Sequence, residues 1–170
     1  MNMSLTKAEL RARLKTARLE MLEEEHRLAS QAIVERLKKM DWTSVKSLHF
    51  FEPLSKLMEV DISDFLTALE DNCPKMQLST SRLIDDEWTV VGVKGGQPPE
   101  QFDVVIVPML GFDPKTRHRI GYGGGYYDKF LATQKKARKV GVCFEQGKVE
   151  ISDESYDIPL DLIITEKAEV

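Results

Sequence analysis

From Leu10 to Leu37 apolar residues recur three or four positions apart, the spacing of one helical face. Leu10, Leu14, Ala17 and Met21 form one stripe, and Leu28 (or Ala29), Ile33 and Leu37 a second. Thr6-Lys7-Ala8-Glu9 precedes the first stripe as a capping box, with Thr6 as N-cap. The pattern then changes. Val45 to Phe51 is rich in β-branched and aromatic residues and predicts a strand, ended at Glu52-Pro53 because proline has no N–H for a central ladder. Asp61 is expected to cap a helix carrying Ile62, Phe65, Leu66 and Leu69. Met76 to Ser81 and Trp88 to Val93 read as strands. Val104 to Val107, before Pro108, reads as a strand buried on both faces. A helix is predicted from Tyr126 to Leu131, and strands over Lys139 to Phe144 and Leu162 to Thr165. Strands alternating with helices predict an α/β layered domain with a largely parallel sheet. Gly95-Gly96-Gln97-Pro98-Pro99 is too short to be a domain linker, so one domain over residues 1–170 is expected.

Composition narrows the partners more than the fold. The chain is 42% hydrophobic and 31% charged, with a formal charge of -4 that gives no general polyanion-binding signal. Nucleic acid is therefore not an expected partner. Cys73 and Cys143 stand far apart without a CxxC, which argues against a disulfide framework and a cysteine zinc site. No apolar run approaches about 18 residues, and the N-terminus lacks the build of a signal peptide. The expectation is a cytoplasmic monomer acting on small molecules.

The candidate chemistry concentrates in Gly111 to Leu131, GFDPKTRHRIGYGGGYYDKFL. Gly121, Gly123, Gly124 and Gly125 stand between a predicted strand and a predicted helix. Glycine lets backbone N–H groups turn towards a ligand and form an anion nest. A helix starting near Tyr126 would point its dipole at the same place. Arg117 and Arg119 can add charge-assisted contacts to phosphate oxygens. Asp128 would repel phosphate unless a cation lay between, an arrangement that suits Mg²⁺. The stretch is neither a Walker A nor a G-x-G-x-x-G motif. One of Tyr126 and Tyr127 can pack while the other covers the ligand. The basic residues Lys7, Arg11, Arg13, Lys15 and Arg18 read as a solvated face, although Lys7 and Arg11, four apart, can reach a shared anion.

The same stretch resembles the 5-formyltetrahydrofolate cyclo-ligase family. The resemblance rests on Phe112-Asp113 followed by Arg119-Ile120-Gly121-Tyr122-Gly123-Gly124-Gly125-Tyr126-Tyr127-Asp128. Lys7-Ala8-Glu9-Leu10-Arg11, Glu59-Val60, and Asp157 with Leu162-Ile163-Ile164-Thr165-Glu166 are similar to further family elements in the family's order. The resemblance implies a three-layer Rossmann-like fold with helices on both faces of the sheet. It implies conversion of 5-formyltetrahydrofolate and ATP to 5,10-methenyltetrahydrofolate, ADP and phosphate, with Mg²⁺. By position, ATP contacts fall on Lys7, Ala8, Glu9, Leu10 and Arg11 and on Arg119 through Tyr127, namely Arg119, Ile120, Gly121, Tyr122, Gly123, Gly124, Gly125, Tyr126 and Tyr127. Folate contacts fall on Leu54, Glu59 and Tyr122 to Tyr126, metal carboxylates on Asp128 and Asp157, and catalytic roles on Arg119 and Tyr126. The spacer Pro114-Lys115-Thr116-Arg117-His118 departs from the family pattern, so this turn is expected to differ.

The residues alone also admit two other classes. A sugar-phosphate isomerase would need a general base, for which Glu59 is the candidate. A non-catalytic nucleotide-binding module would keep the glycine loop but have no use for Glu59 and Asp157. His118 is expected to be exposed, and Cys143 to be a small core residue.

Overall fold

The capping box at the first helix forms as its residues predict. Glu9 N donates to Thr6 Oγ1 at 3.3 Å, and Thr6 N donates back to the Glu9 carboxylate at 2.8 Å. The computed structural model describes residues 5–152 and 158–170. Its elements are α1 (Lys7–Leu19), α2 (Glu23–Lys39), β1 (Ser47–Phe50), a 3-10 turn (Ser55–Leu57), α3 (Ser63–Asn72), β2 (Gln77–Ile84) and β3 (Glu87–Gly92). Then come β4 (Val104–Pro108), β5 (Gly111–Phe112), β6 (Arg119–Ile120), α4 (Tyr126–Thr133), β7 (Arg138–Val142), a second 3-10 turn (Glu145–Gly147) and β8 (Leu162–Ile164).

Six strands form one sheet in the order β3-β2-β1-β4-β7-β8, parallel throughout except for β3. The antiparallel β2–β3 hairpin is the element that strand–helix alternation does not foresee. Asp85 and Asp86 close it, both with positive φ (49° and 64°), as a two-residue type I′ turn requires.

Side-chain alternation along the central strands divides the core into two layers. Val104 and Ile106 of β4, Leu48 and Phe50 of β1, and Val140 and Val142 of β7 pack against Ile33 and Leu37 of α2 and Phe65 of α3. Val105 and Val107 face the other way, towards Phe130 and Leu131 of α4 and Phe112 of β5. The result is the three-layer α/β arrangement, with β4 buried on both faces as its composition predicts. Helix α1 lies off the sheet: Leu10 and Leu14 pack with Leu110, Ile120, Val149 and Ile151 around the small β5–β6 ribbon.

Three local expectations change. Leu28 is exposed, and the inward stripe of α2 runs through Ala29, Ile33 and Leu37. Asp61 accepts from Ser63 N (3.0 Å) and Oγ (2.6 Å), but Ile62 occupies the cap position of α3, so Asp61 braces the helix from one residue further out. Arg18, read as solvated, is 3% exposed: it continues the Leu10–Leu14 row at a spacing of four and points inward.

Candidate active site

β2 pairs with one edge of β1 and β4 with the other, so the strand order reverses between β1 and β4. In open α/β sheets ligands bind outside the carboxyl ends of the strands at such a switch point. A cavity of about 740 Å³ lies there, lined by Phe51 and Glu52 after β1, Ser81 and Leu83 of β2, and Pro108 at the end of β4. The glycine loop from Gly121 to Gly125 forms another wall, and Lys7 and Arg11 of α1 a third.

The loop has the backbone of a nest. Gly123 and Gly125 have φ of 100° and 69°, while Gly124 between them does not share the positive φ, so successive peptides alternate in hand. α4 starts directly at Tyr126, with Gly125 as its N-cap residue. Arg11 lies over the loop and donates from Nε to the Gly121 carbonyl at 2.9 Å. Lys7 and Arg11 thus both reach the cavity, as their spacing allows. Ala8, Glu9 and Leu10 do not line it: Glu9 is engaged with Thr6, and Leu10 packs beneath α1.

Arg119 reaches the cavity from β6 with its side chain largely buried, over the ring of Tyr127 at 5.8 Å. Its Nη2 donates to Asp128 Oδ1 at 2.7 Å. Asp128 is half-exposed at the cavity wall. Among the described residues no three His, Cys, Asp or Glu side chains gather as a metal cage. One half-exposed carboxylate beside an anion nest instead fits Mg²⁺ that arrives on phosphate and keeps its own waters. Asp157 lies outside the described residues.

Arg117 is a correction. Its φ of 58° turns it out of the loop; it is exposed, does not line the cavity, and its Nη1 is 3.5 Å from the Asp161 carbonyl. The cause is the five-residue spacer, which Asp113 organises. Asp113 Oδ1 accepts from Lys115 N at 2.8 Å and Oδ2 from Ile151 N at 2.9 Å. Burial pushes the Asp113 carboxyl up, but these backbone donors outweigh it and hold the carboxyl below its ordinary value. Asp113 therefore builds the turn that delivers Arg119. His118, expected to be exposed, is half-buried. Cys143 is buried in the core, where desolvation raises its thiol to about 12.

Glu59 lines the same cavity, next to Tyr122 of the glycine loop. The 3-10 turn ends at Met58 with φ 50°, which folds the chain back so that Leu54 N donates to Glu59 Oε2 at 2.7 Å. His26 Nε2 lies 2.6 Å from the Glu59 carbonyl and ties the turn to α2. Burial raises the Glu59 carboxyl above its ordinary value, opposed by the Leu54 N–H, the Tyr122 hydroxyl and the Arg18 charge. Arg18 completes the cluster: Nη1 donates to Tyr122 Oη at 2.9 Å, Nη2 donates to the Met109 carbonyl, and the guanidinium stacks over Phe144 at 5.6 Å. Arg18 was missed as a site residue, although its place four after Leu14 was a readable signal.

Aromatic rings close the apolar side. Tyr126 stacks on Phe130 at 5.8 Å and 7° and meets Trp88 of β3 at 5.3 Å, while its hydroxyl bonds Ser81 Oγ. Tyr127 packs behind it towards His49. Of the pair, Tyr126 carries the polar tip at the cavity wall. Trp88 and Ser81 gave no signal in the sequence, because only the β2–β3 hairpin brings them to the cavity.

A doubly wound sheet whose switch-point cavity is lined by both an anion nest and a buried acid defines a Rossmann-like ligand-binding domain. The model of the 5-formyltetrahydrofolate cyclo-ligase family matches residues 77–166, just over half of the chain, and this chain belongs to that family. A 5-formyltetrahydrofolate cyclo-ligase from Mycoplasma pneumoniae is 28% identical over 130 residues, 72% of this chain and 74% of that protein. The match to the Mycoplasma genitalium protein of the same name is 42% identical over 67 residues, 39% of this chain and 40% of that one. In sequence, therefore, the matched part spans well under half of one of these relatives and about three quarters of the other. Solved 5,10-methenyltetrahydrofolate synthetases superpose on nearly the whole chain. That of M. pneumoniae does so with TM-score 0.83 and 25% identity over 95% of this chain and 99% of that one. That of Aquifex aeolicus does so with TM-score 0.81 and 26% identity over 97% and 92%.

Proposed function

We propose that this protein catalyses the ATP- and Mg²⁺-dependent cyclisation of 5-formyltetrahydrofolate to 5,10-methenyltetrahydrofolate, releasing ADP and phosphate. The observation that carries the reading is one cavity whose lining brings together the glycine nest, the cations Lys7, Arg11 and Arg119, and the buried carboxyl of Glu59.

The phosphates of ATP lie along the nest. Lys7, Arg11 and Arg119 supply charge, and the backbone from Ile120 to Tyr127 supplies donors. Ala8, Glu9 and Leu10 serve by carrying Lys7 and Arg11 on α1. Asp128, with Asp157 as second carboxylate, would hold Mg²⁺, which would supply charge neutralisation for phosphoryl transfer. Glu59 accepts N–H bonds from the pterin edge, and Leu54 packs beside it.

The formyl oxygen attacks the γ-phosphorus and ADP leaves. N10 then attacks the formyl carbon, its proton is lost, and the C–O bond breaks with departure of phosphate. The first step turns a poor leaving oxygen into a good one, and the protein's contribution is alignment and charge stabilisation. Arg119 meets the charge on the transferring group, and Tyr126 stands beside the reacting oxygen. Association as a monomer and a cytoplasmic location belong to the same proposal.

The test is spectrophotometric. The conjugated amidinium of the product absorbs in the near ultraviolet, where 5-formyltetrahydrofolate does not. Protein with 5-formyltetrahydrofolate, Mg²⁺ and ATP is expected to develop that band, and the mixture lacking ATP is not. A flat trace from folded, ATP-binding protein removes the reading.

A further inference from the structure

His49 lies in the middle of β1 and is completely buried, with Phe102, Phe130 and Tyr127 around its ring at centroid distances of 5.5, 4.5 and 6.3 Å. Such a place calls for an apolar residue, and neighbouring Leu48 and Phe50 provide them on the other face of the strand. Among the described residues the imidazole has one polar contact. Nε2 lies 2.8 Å from Ser81 Oγ on β2, and Ser81 Oγ in turn bonds Tyr126 Oη at the start of α4. Nδ1 is buried without a hydrogen-bond partner among the described residues. Ser81 and Tyr126 line the cavity, and His49 stands behind them.

We infer that His49 is a positioning residue that, through Ser81, fixes the phenolic proton of Tyr126 as a hydrogen-bond donor into the cavity. Desolvation holds the imidazole neutral, with its pKa down to about 3, so it carries one N–H. A proton on Nδ1 would bury a donor with nothing to receive it. A proton on Nε2 leaves only a lone pair at Nδ1, and buried acceptors are left unpaired more readily than buried N–H donors. The tautomer is therefore Nε2–H, and His49 donates to Ser81 Oγ. Ser81 has one proton to give, and Tyr126 Oη is the partner that takes it. With its oxygen accepting from Ser81, Tyr126 directs its own O–H away from Ser81 and towards the ligand. Each hydroxyl thus passes its donor capacity outward, and an oxygen acceptor is selected at the end of the chain. That this acceptor is the formyl or a phosphoryl oxygen rests on the cyclo-ligase reading; the direction of the chain does not.

The direct test is the tautomer. In uniformly ¹⁵N-labelled full-length protein at neutral pH, long-range ¹H–¹⁵N correlation separates the three histidines, and His49 is identified by the signal lost in His49→Gln. The Nε2–H pattern is expected. An Nδ1–H pattern, or a protonated ring, overturns the proposal whatever the enzyme turns out to do. The second test is kinetic. Glutamine can present an amide N–H to Ser81 and leucine cannot. His49→Gln is therefore expected to keep a kcat about tenfold above that of His49→Leu, the effect of one misdirected hydrogen bond, with the KM for ATP alike in both. Equal kcat in the two variants, at equal folded fraction, overturns the positioning role. Absence of turnover in the unsubstituted protein would defeat the cyclo-ligase reading while the tautomer still decides this one.

Discussion

Replacement of Arg18 by methionine tests the least expected part of the site. The guanidinium is 3% exposed and holds Tyr122 Oη at 2.9 Å and the Met109 carbonyl, with Glu59 in the same cluster. Methionine keeps much of the apolar stem that packs at Phe144, so the change removes mainly charge and donors. Each hydrogen bond from a charged donor is worth about 1.5–3 kcal/mol, and stripping one partner from a buried charged pair costs about 3–5 kcal/mol. These figures overlap in the charge they count, so the expected loss is about 4 kcal/mol rather than their sum. Urea unfolding at pH 7, read as a shift of midpoint at constant slope, measures it. A loss below about 1 kcal/mol would refute the reasoning, because it would mean that the buried guanidinium neither satisfies these oxygens nor balances Glu59. The double variant Arg18→Met/Glu59→Gln sharpens the test. If Glu59 is what Arg18 compensates, the second change should return about 1.5 kcal/mol or more, and strictly additive losses would deny the coupling.

Five further outcomes are expected. Glu59→Gln should weaken reduced-folate binding in calorimetric titration while ATP binding is kept; equal loss of both would indicate a fold defect. Because burial raises the Glu59 carboxyl above 4.5, its stabilising protonation is complete below that value and is lost as pH rises through the folded pKa, so the parent should lose stability relative to Glu59→Gln as pH rises above 4.5. His49 has the opposite sign: its folded pKa of about 3 lies below the ordinary 6.5, so its contribution is present above 6.5 and is lost on acidification. Relative to His49→Gln, the parent should lose about 2 kcal/mol between neutral pH and pH 5, and parallel curves would contradict a neutral buried ring. Arg119→Ala should raise the KM for ATP by about tenfold or more, since one charged hydrogen bond to phosphate is worth about 1.5–3 kcal/mol; unchanged ATP kinetics would remove it from the phosphate wall. Asp128→Asn should shift the Mg²⁺ titration of activity to higher concentration, and an unaltered titration would deny it the metal.

Much of this protein is decided locally and is legible in order along the chain. The Thr6–Glu9 box, the Leu10–Leu14 row and the start of α4 at Tyr126 follow from contacts within a few residues, which propensity and capping govern. The unbroken β-branched run of β4 carries its burial on both faces in its composition. The glycine nest is legible for the same reason: positive φ at Gly123 and Gly125 is a property of those residues before it is a property of the fold. Tertiary structure decided what depends on residues far apart. It brought Arg18 inward, because the row that places it is local but the Tyr122 and Met109 oxygens that receive it lie about a hundred positions away. It turned Arg117 out of the site, because Asp113 binds Ile151 and so fixes the turn between them. It also joined His49, Ser81 and Tyr126, whose meeting depends on β1 and β2 lying side by side in register and on α4 crossing the same face. A strand's sequence states which side chains share a face. Which partners that face meets is set by sheet order, and sheet order follows from the packing of the whole chain.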